Sequence, residues 1–301
     1  MSFKLKLVCY ILIAGILLFV GVGAYNNHLE SKYPWHIYQN SSFKLLRNNT
    51  DKDIVIAYLD TGISDDLYES LGDRIVSPYN VLKMNEDVTD LNGHGTEVAC
   101  VMACNFEKNG VYGLSNNSKI MPIVVMDETG STTGENISKG IIYAVDSGAD
   151  IVNLSLGSRL ENDIVKEAVD YAYENNVILI ASVGDFRENK VLFPAYYDTV
   201  IAVQAQSKLG VRYKDASWGD EVDIRVPGEF VQTLGVNPED NSLEIKYQSG
   251  SSISTAYFTS VIAHIMGQDK SISVDDLLEY VRSVDINDEF LNLYKYVRGY
   301  Q

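Results

Sequence analysis

From residue 53 onward the chain alternates short, continuous apolar runs rich in β-branched residues with longer segments whose apolar positions recur every three or four residues. The runs Ile54 to Leu59, Ile120 to Val125, Ile151 to Leu156, Val177 to Ser182 and Thr199 to Gln204 have the unbroken hydrophobicity of strands covered on both faces. Gly95 to Cys104, Thr133 to Ser147 and Asn162 to Asn175 carry the helical spacing. Strand and helix alternating in this way predict an α/β fold with a parallel sheet and right-handed crossovers. No repeat, low-complexity block or Pro-rich linker interrupts residues 51–301, so they are read as one domain. The acidic stretch Ser273 to Tyr300 predicts one or two closing surface helices.

The N-terminus has a different pattern. Lys4 and Lys6 precede an uncharged run from Leu7 to His28, whose apolar heart is Leu7 to Val22. Basic residues ahead of such a run hold the N-terminus in the cytoplasm and place the remainder outside the membrane. Two outcomes stay open for residues 1–25: a single-pass signal anchor, or a signal peptide cut after Ala24, where Val22 and Ala24 suit the peptidase. Both give an extracytoplasmic protein, membrane-bound in one case and secreted in the other. Residues 26–50 are polar and mixed, and read as a tether or a strap lying on the domain, too short for a folded propeptide.

Charge and cysteine content narrow the classes. Lys plus Arg number 24 against 41 Asp plus Glu, a formal charge of −17 over 301 residues, so nothing draws this surface to nucleic acid. Three cysteines, one of them in the N-terminal apolar run, supply neither a disulfide scaffold nor a zinc set. Cys100 and Cys104, four apart on one helix face, are read as small packing residues rather than a disulfide or metal pair.

Three short motifs carry candidate chemistry. Asp60 ends an apolar strand in "IVIAYLDTGIS", where open α/β sheets gather their functional groups, although a carboxylate there also serves as a simple helix cap. "DTG" is shared with aspartic proteases, but no second copy is present, so that chemistry would require a homodimer. His94 sits between Gly93 and Gly95 at the start of an apolar helix, where the positive helix end is expected to help keep the imidazole neutral. Of the other histidines, His28 and His36 lie in the tether and His264 on an apolar helix, as a core residue would. Ser252, in "YQSGSSISTAYFTSVIAHIM", introduces a small-residue helix, as an N-cap or as a nucleophile whose own N–H helps receive an oxyanion. A serine hydroxyl needs a base, and the base an orienting group; Ser252, His94 and Asp60 would supply all three.

These fragments occur in the order Asp, His, Ser with separations of 34 and 158 residues. Together with "HGTEVA" at 94–99, "GADIVNLSLGS" at 148–158, "FPAYYDTVIAVQA" at 193–205 and "SGSSISTAYFTS" at 249–260, the chain resembles the subtilisin-like serine proteases. The resemblance implies a doubly wound parallel sheet with helices on both faces, an Asp60/His94/Ser252 triad and hydrolysis of peptide bonds. It also implies that Ser155, Leu156 and Gly157 form a strand edge beside the primary specificity pocket, with Thr129, Gly130 and Ser131 as the opposite edge. A peptide or protein substrate would be held between the two by main-chain pairing. The bland reading of "NLSLG" is an ordinary buried strand and turn.

The chain departs from the family at one chemically important position. Asp185, in "IASVGDF", stands where the family places an oxyanion-hole Asn. An amide donates to a developing oxyanion, whereas an ionised carboxylate only accepts. Three readings follow: Asp185 is protonated through a raised pKa and donates, giving an acidic optimum; the Ser252 N–H and Ser251 hydroxyl suffice in a slow, selective enzyme; or the protein binds peptides without cleaving them. No cofactor is required, but calcium sites are common in the family, and Asn105 to Gly113 would offer Asn105, Glu107 and Asn109 as donors. The stretch from Asp185 to Phe193 is short for the family's pocket-forming loop and carries no legible side-chain preference. The expectation is therefore an exported or membrane-tethered processing endopeptidase, with a peptide-binding scaffold or immunity partner as the alternative.

Overall fold

The computed structural model describes residues 33–38, 45–46, 50–106, 110–237, 239–240 and 242–283. The apolar run Leu7 to Val22, and with it both readings of residues 1–25, lies outside them. Among the described residues no helix is long and apolar enough to cross a membrane. In chain order the strands are β1 (Val55–Asp60), β2 (Tyr79–Asn80), β3 (Asn105–Phe106), β4 (Val111–Tyr112), β5 (Lys119–Val124), β6 (Ile151–Leu154), β7 (Ile178–Ser182), β8 (Val200–Gln206), β9 (Ile224–Pro227), β10 (Val231–Val236) and β11 (Leu243–Gln248).

Seven of these form one all-parallel sheet in the order β2-β5-β1-β6-β7-β8-β9. The chain leaves β1 for β2 and β5 on one side, then crosses to β6 and proceeds outward to β9 on the other. The winding thus reverses at β1, and the crevice beyond the carboxyl end of that strand is where such sheets receive ligands. Asp60 is its last residue.

The continuous apolar runs are explained by two cores, one on each face. Along β1, Ile56 and Tyr58 enter the core shared with the helices His94–Ala103, Ser251–Gln268 and Val274–Ser283, while Ala57 and Leu59 enter the core of Gly134–Asp146 and Asp163–Glu174. The latter two helices begin where the sequence offers side-chain caps: Thr133 accepts from Asn136 N–H, and Asn162 from Ile164 and Val165 N–H. The Ser251–Gln268 helix is buried over nearly its whole length, and its His264 is a core residue as expected, with Nε2 2.8 Å from Leu114 O. Of the tail, Val274–Ser283 is helical with Val274, Leu277, Leu278 and Val281 buried; residues beyond 283 lie outside the described range.

Part of the segment before residue 50 is a strap. Trp35–Tyr38 is a short helix, and Tyr33, Ile37 and Leu45 are buried in the core that holds the Ser251–Gln268 helix. Tyr257 Oη donates to His36 O at 3.1 Å, and Trp35 Nε1 to Phe230 O at 3.1 Å. Burial pushes the His36 imidazole down to about 3, so it sits neutral in the interior.

The cysteine expectation is overturned: Cys100 and Cys104 form a disulfide. The helix ends at Ala103 with Cys104 as its C-cap, and the two Cα atoms lie 4.5 Å apart, within the range a disulfide spans. Regular spacing on one helix face, the basis of the packing reading, does not apply once the second cysteine is the residue that leaves the helix.

One close approach fixes the helix that begins at His94. A Cβ on Gly95 would collide with Gly62 O and lie 2.8 Å from Gly62 N, so helix and strand-end turn touch backbone to backbone. Gly95→Ala is expected to cost about 3 kcal/mol through overpacking, read as a lowered urea midpoint with unchanged slope. An unchanged midpoint would show that the turn yields freely.

Candidate active site

Asp60, fully buried at the end of β1, accepts from Thr61 N–H through Oδ1 and places the same oxygen 2.8 Å from His94 Nδ1. His94 is the first residue of its helix, and its side chain remains about one-third exposed. The Asp60 carboxylate is the main cause that raises the imidazole pKa to about 9, against a smaller lowering by burial. The expectation that the helix end keeps this imidazole neutral is therefore reversed. A full carboxylate charge at hydrogen-bond distance outweighs the partial charge of a helix terminus.

The sequence reading missed the residue that sets this geometry. Asp90, buried four positions before His94, accepts from Gly93 N–H, Asn92 N–H and Thr61 Oγ1 through Oδ1, and from Thr96 N–H and Oγ1 through Oδ2. Thr61 Oγ1 in turn accepts from Gly95 N–H. One carboxylate thus ties the end of β1 to the first turn of the His94 helix. An acidic residue shortly ahead of a glycine-flanked histidine was the available signal.

Ser252 lies in the first turn of the 18-residue helix Ser251–Gln268, so its N–H has no partner within the helix. Its Oγ lies 3.1 Å from Ser155 O as donor, and Ser155 Oγ donates to Ser252 O at 2.8 Å. Transfer of the Ser252 proton to His94 requires the hydroxyl to turn from that carbonyl toward the imidazole, a tightening often left to the substrate complex.

Asp185 caps the same helix. Its Oδ2 accepts from Ser251 N–H at 2.8 Å and from Ser251 Oγ at 2.9 Å, while Oδ1 is 3.1 Å from that N–H. Burial pushes the carboxyl pKa up, and the two Ser251 donors hold it partly down. The Ser251 hydroxyl, considered above as an oxyanion donor, is spent on Asp185 and also accepts from Gly184 N–H.

His94, Ser252, Asp185, Ser155, Leu156, Gly157, Thr129, Gly130 and Ser131 all line one open cleft of about 890 Å³, with Asp60 behind His94. The two walls differ from the expected pair of edges. Residues 129–131 form a closed turn: Asp127 Oδ1 accepts from Thr129 and Ser131 N–H, and Asp127 O from Gly130 N–H. Those donors are consumed by a local Asx-type turn, so this wall does not offer them to a substrate strand. On the other wall Ser158 pairs with Phe193, which leaves Gly157 next to the open cleft.

The calcium loop suggested around Asn105 falls largely outside the described residues, since 107–109 are not described; Asn105 itself pairs with Tyr112 in the β3–β4 hairpin. Among the described residues no group of His, Cys, Asp and Glu is arranged to hold a metal ion. The acidic concavity at Asp198, Asp220, Glu221 and Asp223 carries its own cation, with Arg282 Nε 2.7 Å from Asp223 Oδ1 and another guanidinium nitrogen 2.9 Å from Asp198 O.

Residues 51–287 match the model of the subtilase family. The chain is similar to a thermophilic serine proteinase of Bacillus sp. (strain AK1), 29% identical over 240 residues that cover 79% of this chain and 58% of the relative. It is also similar to a cell wall-associated protease of Bacillus subtilis (strain 168), 32% identical over 240 residues that cover 78% of this chain and 26% of the relative. The chain thus spans little more than half of one of these relatives and about a quarter of the other. The crystal structure of a cold adapted subtilisin-like serine proteinase aligns with a TM-score of 0.68 at 25% identity, covering 77% of this chain and 82% of that one.

Proposed function

This chain belongs to the subtilase family of serine endopeptidases, and on that premise we propose that it is itself an exported endopeptidase working through Asp60, His94 and Ser252. The observation that carries the proposal is the 2.8 Å Asp60–His94 pair, set at the reversal point of the sheet beside the cleft that Ser252 lines. Asp60 fixes the imidazole with Nδ1 protonated, so that Nε2 is the basic nitrogen. His94 takes the Ser252 proton as Oγ attacks the scissile carbonyl, and returns it to the leaving amine. The resulting acyl-enzyme is released by water activated in the same way. The Ser252 N–H is the main-chain donor to the oxyanion.

A Cys100–Cys104 disulfide suits an oxidising compartment, as does the basic-then-apolar N-terminus. Both favour a protein that works outside the cytoplasm, anchored or secreted, on exported peptides. Calcium would be a structural ion, and no step of the reaction is assigned to it.

An active-site phosphonate tests the reading directly. Wild type is expected to be labelled and Ser252→Ala to remain unlabelled. Absence of labelling at every pH from 5 to 10 would instead identify a peptide-binding scaffold.

Asp185 narrows the working range. His94 serves as a base only when neutral, which favours high pH given its raised pKa, whereas Asp185 donates to an oxyanion only when protonated, which favours low pH. Asp185→Asn supplies an amide donor at every pH and keeps an acceptor for Ser251. It is expected to raise kcat on the alkaline side by up to about 10²–10³-fold, the worth of one such donor as measured by mutagenesis in a subtilisin. A pH–rate profile unchanged by the substitution would remove Asp185 from the oxyanion site.

A further inference from the structure

Gly157 and Gly184 stand on facing walls of the cleft beside Ser252, one following the Ser155–Leu156 edge and the other preceding Asp185. Neither carries a side chain, and the space between two such walls is where the residue before the scissile bond would place its own. That space is occupied. A Cβ on Gly157 would lie 2.9 Å from Leu192 Cδ1, and a Cβ on Gly184 would lie 2.6 Å from the same atom. The Leu192 side chain therefore sits between both glycines, buried to 3% exposure and anchored by its N–H to Val183 O at 3.2 Å.

The outer end of the slot is bridged as well. The Arg159 guanidinium stacks 3.8 Å from the centre of the Phe186 ring, and its Nε is 2.8 Å from Glu188 Oε1. Behind it, Ser158 and Phe193 exchange both main-chain hydrogen bonds, at 2.8 and 2.9 Å. Two segments that would have to separate to admit a long side chain are thus joined across the slot at three levels: by Leu192 inside, by the Ser158–Phe193 pair, and by the Arg159–Phe186–Glu188 bridge.

We propose that Leu192 is a specificity-determining residue that fills the primary pocket and restricts the residue immediately before the scissile bond to Gly, Ala or Ser. The inference rests on the peptidase reading above and names its substrate class. A methyl or hydroxymethyl group fits above Leu192, whereas a Leu, Phe or Arg side chain would have to displace a packed isobutyl group. A filled hydrophobic pocket rejects larger groups through overlap, so the discrimination is expected to exceed what a single methylene supplies in an open one.

The test uses internally quenched peptides that differ only at that position, cleaved by the full chain, with phosphonate labelling of Ser252 run in parallel. Wild type is expected to cleave the Gly, Ala and Ser peptides and to be at least about 10²-fold poorer in kcat/KM on Leu, Phe and Arg. Leu192→Gly, with Leu192→Ala as a second variant in case the first packs poorly, is expected to raise the Phe-to-Ala ratio of kcat/KM by about 10²-fold. A labelled wild type that prefers Phe or Leu overturns the proposal and leaves the peptidase reading standing. So does a labelled variant whose ratio does not move. An unlabelled chain that cleaves none of the peptides overturns both.

Discussion

Replacing Ser252 with Ala is expected to lower kcat by about 10⁶-fold while leaving the fold unchanged, a magnitude measured for the equivalent loss in a subtilisin. The drop is large because no other hydroxyl takes its place: Ser251 Oγ is held by Asp185, and Ser155 Oγ donates to Ser252 O. The structural cost is small, since Ser252 Oγ makes one neutral hydrogen bond, to Ser155 O, worth about 1 kcal/mol. Residues that act as one unit do not contribute additively. Adding His94→Ala to Ser252→Ala is therefore expected to lower the residual rate little further. Single-turnover cleavage of a quenched peptide reads both. A Ser252→Ala enzyme retaining more than about a thousandth of wild-type kcat would mean that another group attacks the substrate.

Asp60→Asn is expected to lower kcat by about 10⁴-fold and, independently, to move a titration. In the native protein the Asp60 carboxylate is the largest cause that lifts His94 to about 9, and burial alone acts the other way. Removing the charge leaves burial opposed only by the weaker pull of Glu97 and Asp90, so the His94 pKa should fall from about 9 toward its ordinary 6.5. The sign for activity follows from the need for a neutral base: in wild type the rate climbs as pH rises through the raised pKa, and in the variant the climb occurs at lower pH but to a far lower plateau. The sign for stability is the reverse. A histidine whose folded pKa is raised contributes its full stabilisation below about 6.5 and loses it as pH rises through about 9, so the wild-type advantage over Asp60→Asn should fade across that window. The imidazole resonance of His94 followed against pH, alongside urea midpoints at several pH values, separates the two effects. A His94 pKa unmoved by Asp60→Asn would contradict the pairing.

Much of this molecule could be read before any coordinates. The runs beginning at Ile54, Ile120, Ile151, Val177 and Thr199 became β1, β5, β6, β7 and β8 because strands buried on both faces leave no polar alternation to obscure them. Other strands escaped. β2 has two residues, and β10 and β11 form an antiparallel pair outside the main sheet, with Leu243–Gln248 largely exposed. The residues of the proposed triad stood out because each lies in a short contiguous motif. Asp90 was harder, since its role consists of five hydrogen bonds to residues whose approach depends on the helix touching β1. The Leu192 plug was not legible at all. A leucine in an apolar stretch is unremarked in one dimension, and only the folded chain places it between two glycines nearly 30 residues apart. The turn at Thr129 to Ser131 was hidden for a related reason: these residues line the cleft, but Asp127 captures the Thr129 and Ser131 N–H groups.

Recombinant production must respect the segment carrying Ile37 and Leu45. The family match begins at residue 51, and an expression clone cut there would look complete by homology. It would also strip Tyr33, Ile37 and Leu45 from the interior, each contributing about 2 kcal/mol of burial, and uncover the flank of the helix that carries Ser252, around Tyr257. Such a truncated product is expected to come out of the cell sticky and prone to inclusion bodies, whereas one starting ahead of Tyr33 should stay dispersed. The same reasoning constrains the living cell: any protease that clips this protein during its maturation would have to do so upstream of Tyr33 to leave a durable enzyme.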